Sequence, residues 1–249
     1  MLNNVIQETG YEGNTYGDFL VLNFHQKSGK YYTRIKLYDT YKIARMNIND
    51  IIHNILPEKF HGKLVGNPYI HLTDGTTVLF DIHGVEIYID TEDFDRIKHI
   101  TWRAHPPTGN RNTTDVWYAY GGVWDKSDKY ADRPRAGKWI QYSLHRYILN
   151  VTNESLQVDH KDMNGLNNRK SNLREATQTE NARHKSIYRN NETGFAGVRM
   201  DKRTGAYQAR ITVNGKLIYL GESKDIGVVK RMRLEAENKY FGEFKTHRD

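Results

Sequence analysis

Residues 14–45 combine apolar and polar positions in a way that predicts β-strands. The segments YGDFLVLNF and YYTRIKLYD are rich in β-branched and aromatic residues, and the polar segment HQKSGK between them predicts a turn. The segment NINDIIHNIL predicts a short helix that begins with Asn47 as its cap. Pro57 and Gly62 follow this helix and indicate a boundary.

Residues 64–123 are again rich in strand-forming segments. The sequences YIHLTDGTTVLF, VEIYID and VWYAYGGVW predict strands, and the TDGT segment suits a hairpin turn. The segment TEDFDRIKHI predicts a short helix with Thr91 as its cap. Residues 125–138 are charged and contain turn-forming residues, which predicts a loop.

The C-terminal residues predict a three-stranded antiparallel sheet packed on one helix. The strands are FAGVRM, AYQARITV and KLIYLG, and Asn214-Gly215 is a strong hairpin signal between the last two. Asp225 is expected to cap a helix that continues to about Tyr240. This helix has an apolar face with spacings of three and four, formed by Ile226, Val229, Met232, Ala236 and Tyr240.

These elements predict an α+β protein of several small domains rather than one large core. The predicted division is a β-rich module over 1–62, a β-rich lead-in over 63–138, a catalytic core over 139–189 and a C-terminal domain over 190–249. The role of the first module is left open between a structural part and a part that contacts a partner.

The composition excludes several classes of protein. The chain has 249 residues, 37% hydrophobic residues and a mean hydropathy of −0.79, and every apolar run is soon interrupted by charge. The sequence therefore predicts no membrane span, and its first residues do not suggest a secretory signal. The absence of cysteine excludes disulfides and thiolate zinc sites and is compatible with the expected cytoplasmic location.

The net charge of +7 is concentrated in the C-terminal half. Residues 1–132 hold 14 Lys and Arg against 17 Asp and Glu, whereas residues 133–249 hold 23 against 13. The first part therefore has a net charge of −3 and the second of +10. A basic half favours a polyanionic partner, although general solubility would explain the charge equally well.

The segment LQVDHKDMNGLNNRKSNLREATQTENARHK carries the candidate chemistry. Asp159 and His160 are adjacent, so a strand would send their side chains to opposite faces unless it ends there. Thr177 and Glu180 have the spacing of a capping box, which predicts a helix from about Gln178. A carboxylate and an amide oxygen suit Mg²⁺ or Mn²⁺, and a neighbouring histidine can act as a general base.

This segment resembles the HNH, or ββα-metal, nucleases of the phage and homing type. The motifs SLHRYILN, VDHKDMNGLNN, SNLREAT and QTENAR carry the resemblance, with 13 residues from Asp159 to Asn172 and nine from Asn172 to Asn181. The resemblance implies that Asp159 and Asn181 bind one divalent ion, that His160 is the general base and that Asn172 holds the loop. The last position is Asn where colicin-type relatives have His, which disfavours a tight transition-metal site.

Other residues of this segment have weaker assignments. His145 is expected to pack or hydrogen-bond beneath the site, and His184 is a less favoured third ligand. Four basic residues are candidates for phosphate contacts, with solvated surface as the alternative for the arginines: Arg146, Arg169, Arg183 and Lys185.

The C-terminal residues resemble the Apetala-two, or plant ethylene-response-factor, DNA-binding domain. The resemblance covers TGFAGVRMDKRTGAYQARITVNGKLIYLG, the helix and YFGEF. Ala209, Ile211 and Val213 would then pack on the helix, while the opposite face of the sheet would enter a DNA groove. The candidate contacts on that face are Arg199, Gln208, Arg210, Thr212 and Lys216. The alternative is a small structural sheet.

The sequence thus predicts a metal-dependent DNA endonuclease that acts on double-stranded DNA, as a monomer or a homodimer. The first alternative is a restriction endonuclease with the same catalytic core. The second is a DNA-binding regulator that has lost cleavage, although the joint presence of the four core residues opposes it. The target site, and whether one strand or two are cut, are left open.

Overall fold

The computed structural model describes residues 5–60, 64, 66–106, 116–125, 137–183 and 191–245. The protein is α+β, with mostly antiparallel sheets and few helices. It divides into two compact units. Unit 1 comprises residues 1–106, 116–152 and 160–174, and unit 2 comprises residues 107–115, 153–159 and 175–249. No helix within these described ranges is long and apolar enough to cross a bilayer.

Unit 1 begins with a four-stranded antiparallel sheet. Its strands are β1 (Thr15–Tyr16), β2 (Phe19–His25), β3 (Lys30–Leu37) and β4 (Thr40–Met46), in that spatial order. Helix α1 (Ile48–Ile52) follows, and Asn47 occupies its N-cap as predicted, although its side chain makes no capping hydrogen bond. Val21, Ile35 and Ala44 are fully buried on one face of the sheet. The pattern of apolar and polar residues in the sequence therefore correctly indicated a core.

A second sheet of unit 1 packs against the first. Its antiparallel strands are β5 (Tyr69–His71), β6 (Thr76–Phe80) and β7 (Glu86–Asp90), followed by a 3-10 turn at Thr91–Asp93 and helix α2 (Phe94–Ile97). Leu22 and Ile43 of the first sheet share a buried cluster with Val78 and Phe80 of the second.

The expected cap at Thr91 is wrong. Thr91 lies inside the 3-10 turn, and neither this turn nor α2 has a side-chain capping bond. The N-cap positions of the turn and of α2 are Asp90 and Asp93, and the Thr91 hydroxyl is paired with that of Thr77 at 2.9 Å.

The third sheet leads into the segment that carries the candidate chemistry. It contains β8 (Arg103–His105), β9 (Tyr118–Asp125) and β10 (Lys138–Ser143), with β9 in the centre. Helix α3 (Leu144–Leu149) follows, and β11 (Leu156–His160) and β12 (Leu173–Thr177) form a two-stranded sheet before helix α4 (Gln178–Arg183). Most of the loop predicted over 125–138 lies outside the described residues, while Asp125 and Lys138 pair as strand residues.

The predicted C-terminal sheet and helix are confirmed. Strands β13 (Val198–Asp201), β14 (Ala206–Val213) and β15 (Lys216–Ser223) are antiparallel, and helix α5 (Ile226–Tyr240) packs on them. Asn214 and Gly215 both have positive φ, as a tight hairpin requires. The Asp225 carboxylate accepts a hydrogen bond from the Gly227 N–H at 2.7 Å and caps α5.

The core of this domain contains an ion pair that the apolar pattern did not indicate. Arg233 and Glu237 of α5 are buried, and a guanidinium nitrogen lies 2.9 Å from the carboxylate. Arg233 also donates a hydrogen bond to the carbonyl of Arg210 at 2.5 Å. A side chain at Gly197 would collide with this guanidinium, at 2.7 Å from its nearest nitrogen, so the glycine leaves room for the pair.

Candidate active site

His160 is the last residue of β11, and the chain turns sharply after it. The amide of Met163 donates to the carbonyl of His160 at 2.9 Å, and Met163 has a positive φ of 61°. The strand therefore ends where the sequence required it to end if Asp159 and His160 are to serve one site. Both side chains are buried, at 5% and 4% exposure.

Asn172 ties together the loop formed by residues 161–172. Its Oδ1 accepts from the backbone N–H of Asp162 at 3.0 Å, and its Nδ2 donates to the Asp162 carboxylate and to the carbonyl of Asn167, both at 2.8 Å. Its own carbonyl accepts from the amide of Lys161 at 2.8 Å. Both the oxygen and the nitrogen of the buried Asn172 amide therefore have hydrogen-bond partners, and these bonds hold the two ends of the loop in one arrangement.

The same loop is fixed to β7. The Tyr88 amide donates to the carbonyl of Leu166 at 2.9 Å, and the Asn168 amide donates to the carbonyl of Tyr88 at 2.7 Å. At the far end of the loop, the Lys170 amide donates to the Asp90 carboxylate at 2.7 Å. Strand β7, which precedes the candidate chemistry in the sequence, therefore supports the loop.

The His160 ring lies in an aromatic pocket. The rings of His145 and Tyr118 are centred 5.2 Å and 5.8 Å from it, and its Nε2 lies 3.4 Å from the Asn168 Oδ1. A side chain at Gly165 would collide with the Tyr118 ring at 2.7 Å, so this glycine lets the loop approach β9 closely. The surroundings restrict the orientation of the His160 ring.

His145 is held neutral. Burial, followed by the charges of His160 and Arg146, lowers the pKa of His145 to about 3. Its Nδ1 is shielded from solvent and has no hydrogen-bond partner among the described residues. The expectation that His145 packs beneath His160 agrees with this ring contact.

Sequence reasoning did not single out Tyr118, Asn168 or Asp162. Tyr118 lies 42 positions before His160, and no local pattern connects the two residues. Asn168 and Asp162 belong to the DMNGLNN segment, whose amide and carboxylate groups are also typical of ordinary turns. The signal in the sequence is the high density of amide and carboxylate side chains in this segment, because side chains that bond to each other and to the backbone of one loop stiffen that loop.

In unit 2, Asn181 faces β11. Its Nδ2 donates to the Oε1 of Gln157 at 2.5 Å, which leaves the carbonyl oxygen as its group for a cation. Gln157 and Asp159 are two apart on the strand, so their side chains leave the same face. The capping box is confirmed, because the Thr177 hydroxyl accepts from the Glu180 amide at 3.2 Å and the Glu180 carboxylate accepts from the Thr177 amide at 2.8 Å.

The donor set fits a hard divalent cation. Asp159 supplies a carboxylate and Asn181 an amide oxygen, which are ligands of the kind that Mg²⁺ and Mn²⁺ prefer. Within the described ranges, no group of three or more His, Cys, Asp or Glu side chains is placed to hold a metal ion. An ion bound by these two residues would therefore need further oxygen ligands from water or from a substrate phosphate.

The predicted phosphate contacts are located as follows. Arg146 on α3 donates to the carbonyl of Val151 at 3.1 Å, and Arg169 donates to the Asn167 side chain at 3.0 Å. The guanidinium of Arg183 lies 5.0 Å from the centre of the Phe241 ring, within unit 2. Lys185 and His184 lie outside the described residues.

The outward face of the C-terminal sheet carries a polar network centred on Gln208. Its Oε1 accepts from Arg210 at 3.1 Å and from Arg199 at 3.4 Å. Its Nε2 donates to the carboxylates of Glu222 at 3.2 Å and Asp201 at 3.3 Å. Gln208 is buried among these side chains, whereas the other candidate contacts Thr212 and Lys216 are exposed.

Residues 142–183 match a family model described as HNH endonuclease. This segment contains α3, the loop and the four residues Asp159, His160, Asn172 and Asn181. No curated protein and no solved structure matches the chain. The match supports a nuclease, a class of hydrolase that acts on DNA and generally uses a divalent metal ion.

Proposed function

We propose that the protein is a metal-dependent DNA endonuclease of the phage or mobile-element homing type. One observation carries the proposal: a buried Asp159-His160 pair ends β11, directly before a loop that Asn172 holds, within the segment similar to HNH endonucleases. In this proposal β11, β12 and α4 are the elements of a ββα-metal core. The homing role rests on the resemblance of the motifs.

His160 acts as the general base. Its imidazole takes a proton from the water that attacks phosphorus, and the contacts with Tyr118 and His145 keep the ring in one orientation. Asn172 is a positioning residue, because it bonds to the loop and holds the backbone that follows His160.

Asp159 and Asn181 hold one Mg²⁺ or Mn²⁺ ion. When bound, such an ion stabilises the negative charge that develops on the phosphate oxygens and on the departing oxygen. The carboxylate and the amide oxygen supply hard ligands, and neither contributes the thiolate or imidazole that softer metals favour.

The C-terminal sheet supplies DNA recognition. Its outward face carries Arg199, Arg210 and Lys216, and a three-stranded sheet of this kind can lie in the major groove. The likeness to the Apetala-two domain supports this assignment. Gln208 is the residue that orders the two arginines, since both ends of its amide are engaged.

Cleavage of supercoiled plasmid in the presence of Mg²⁺ tests the proposal. The wild-type protein should give nicked or linear product, and excess chelator should abolish it. His160→Ala should lower the rate by about 100-fold to 10,000-fold, the usual contribution of a general base, while duplex binding is retained.

The control is His53→Ala, which removes an exposed histidine of unit 1. It should cut like the wild type. Binding without cleavage by the wild-type protein, over a range of plasmids and of Mg²⁺ and Mn²⁺ concentrations, would instead indicate a DNA-binding regulator.

A further inference from the structure

One face of the sheet formed by β8, β9 and β10 is open. A side chain at Gly121 would collide with Ile100 at 2.6 Å and with Trp102 at 2.8 Å, so the face that Gly121 shares points into the core of unit 1. Residues alternate along a strand, and Tyr118, Tyr120 and Trp124 therefore share the opposite face. Trp139 of β10 pairs directly with Trp124 and lies on that face as well.

Two glycines leave room for the indole rings of this face. A side chain at Gly122 would meet the Trp139 ring at 2.6 Å, and a side chain at Gly137 would meet the Trp124 Nε1 at 2.5 Å. Each indole therefore packs over a backbone with no side chain. Trp124 remains 49% exposed and Trp139 59% exposed, although burial of such rings is strongly favourable.

The open face is continuous with the candidate active site. Its Tyr118 contacts the rings of both His145 and His160 at 5.8 Å. Arg103 and His105 of β8 pair with Tyr120 and Tyr118, and they add basic and polar groups to the same side. None of the described residues at the positions of this face carries a carboxylate. These residues are Arg103, His105, Tyr118, Tyr120, Gly122, Trp124, Trp139, Gln141 and Ser143.

We infer that this aromatic face, defined by Tyr118, Tyr120, Trp124 and Trp139, is a DNA-binding surface beside the scissile phosphate. The inference rests on the proposed function. Exposed aromatic rings next to basic side chains suit deoxyribose and the charge of the backbone, and they suit the flat faces of bases wherever a strand is unstacked. The face extends from the catalytic histidine, so the DNA that it binds is the stretch flanking the cut.

The strand sets the distance over which this contact reaches. Trp124 is six positions beyond Tyr118, which is about 20 Å along a strand at ~3.3 Å per residue. At ~3.4 Å per nucleotide, the two tryptophans should lie about six nucleotides from the cut. The sheet would thus bind one side of the cleavage site.

Duplex binding in chelator, which prevents cleavage, tests the inference. A labelled duplex of arbitrary sequence serves as the probe, and the readouts are its anisotropy and the quenching of tryptophan emission. Trp124→Thr and Trp139→Thr, chosen because threonine suits a strand, should each weaken binding of the duplex and reduce the quenching. Where a ring stacks on an unpaired base, as with a single-stranded probe of the same length, the loss should be about 5-fold to 100-fold. Trp139→Phe, which keeps a ring, should retain most of the affinity.

Tyr38→Asn is the matched control, since it removes a 95% exposed aromatic residue at a position of positive φ that asparagine tolerates. It should bind like the wild type. Unchanged thermal unfolding of the threonine variants shows that they fold. On a second duplex that carries a mapped cut, hydroxyl-radical footprints of the threonine variants should lose protection about six nucleotides to one side of that cut.

Wild-type affinity and quenching in both threonine variants would overturn the inference. A wild-type dimer that these variants dissociate, with no change in affinity for DNA, would instead assign the face to a second copy of the chain. Because binding is measured without metal, loss of binding in the variants would stand even if the wild-type protein never cut DNA.

Discussion

Two side-chain amides, Asn172 in the 161–172 loop and Gln208 on the C-terminal sheet, occupy similar positions with different consequences. Both are 8% exposed, and both use the oxygen and the nitrogen of the amide. Asn172 bonds mainly to backbone groups of its own loop, whereas the Gln208 amide bonds only to charged side chains. Asn172 therefore fixes the backbone of its loop, whereas Gln208 fixes the rotamers of the side chains that it contacts.

This difference suits two tasks. Chemistry requires a base held to within a fraction of an ångström, and a backbone braced at both ends provides that. Recognition of DNA requires arginines that are ordered before binding, so that less side-chain entropy is lost on contact. Substitution of these amides, or of residues that pack near them, should therefore change the cleavage rate and the affinity for DNA separately.

The largest effect is expected from Asn172→Ala. The loop loses its bonds to Asp162 and Asn167, and the backbone that follows His160 is released. Misplacement of a catalytic group by about 1 Å can cost 100-fold, so the single-turnover cleavage rate should fall by about 100-fold or more. Affinity for duplex DNA, measured in chelator, should stay within about 2-fold of wild type; a parallel loss of affinity would contradict the division of tasks.

Gly165→Ala should have a smaller effect on the same loop. The added methyl group would lie 2.3 Å from the backbone oxygen of Trp117 and 2.7 Å from the Tyr118 ring, so movement of the ring alone would not make room and the backbone must shift. Overpacking of this kind costs about 1–3 kcal/mol, which a denaturant titration measures. Cleavage should fall by about 10-fold, because Tyr118 also contacts His160. Gly194→Asn is the comparison, because a Cβ at Gly194 meets nothing within 4 Å and asparagine tolerates its positive φ of 62°, and it should cut normally.

Gln208→Leu should affect recognition rather than cleavage. Arg199 and Arg210 lose their shared acceptor, and Glu222 and Asp201 lose a donor. A net hydrogen-bond contribution of about 1 kcal/mol corresponds to about a 5-fold loss of affinity for the specific duplex. Random duplex should be bound nearly as before, because phosphate contacts carry no sequence information and the basic side chains that make them are retained. Asn238→Ala removes an exposed amide of α5, which packs on the other side of the sheet, and is the control.

The effect that is smallest near neutral pH is a pH dependence of stability that comes from His145. Its pKa is about 3 in the folded chain, below the ordinary value of 6.5, so the unfolded chain binds the proton more readily. The free energy of unfolding should therefore fall as the pH is lowered from about 6.5 toward 3. Denaturant titrations at several pH values should show a shallower fall for His145→Phe, and the same slope in both proteins would contradict the assignment.

The local elements were predictable where short-range chemistry determines them. The Asp225 cap, the Asn214-Gly215 turn and the Thr177-Glu180 box depend on residues within a few positions of each other, and all three are confirmed. The cap at Thr91 was wrong because the turn begins with Asp90 at its N-cap, which puts Thr91 inside it, and the Thr91 hydroxyl pairs with Thr77, which is distant in sequence.

The support of the candidate site could not be predicted for the same reason. Tyr118 reaches His160 through a sheet that pairs β9 with β8 and β10, and Tyr88 reaches the loop through backbone bonds from another strand. The buried Arg233-Glu237 pair also escaped detection, since an apolar stripe does not reveal which charged neighbours are enclosed. The roles of Asp159, His160, Asn172 and Asn181 stay predictions.

The most direct test of the division between chemistry and recognition is a crossed measurement on one specific duplex. The dissociation constant in chelator and the single-turnover cleavage rate at saturating enzyme are measured for wild type, Asn172→Ala and Gln208→Leu. We expect Asn172→Ala to lower the rate by about 100-fold with little change in affinity, and Gln208→Leu to weaken affinity by about 5-fold with little change in rate. If either variant changes both quantities by similar factors, the two amides do not serve separate tasks.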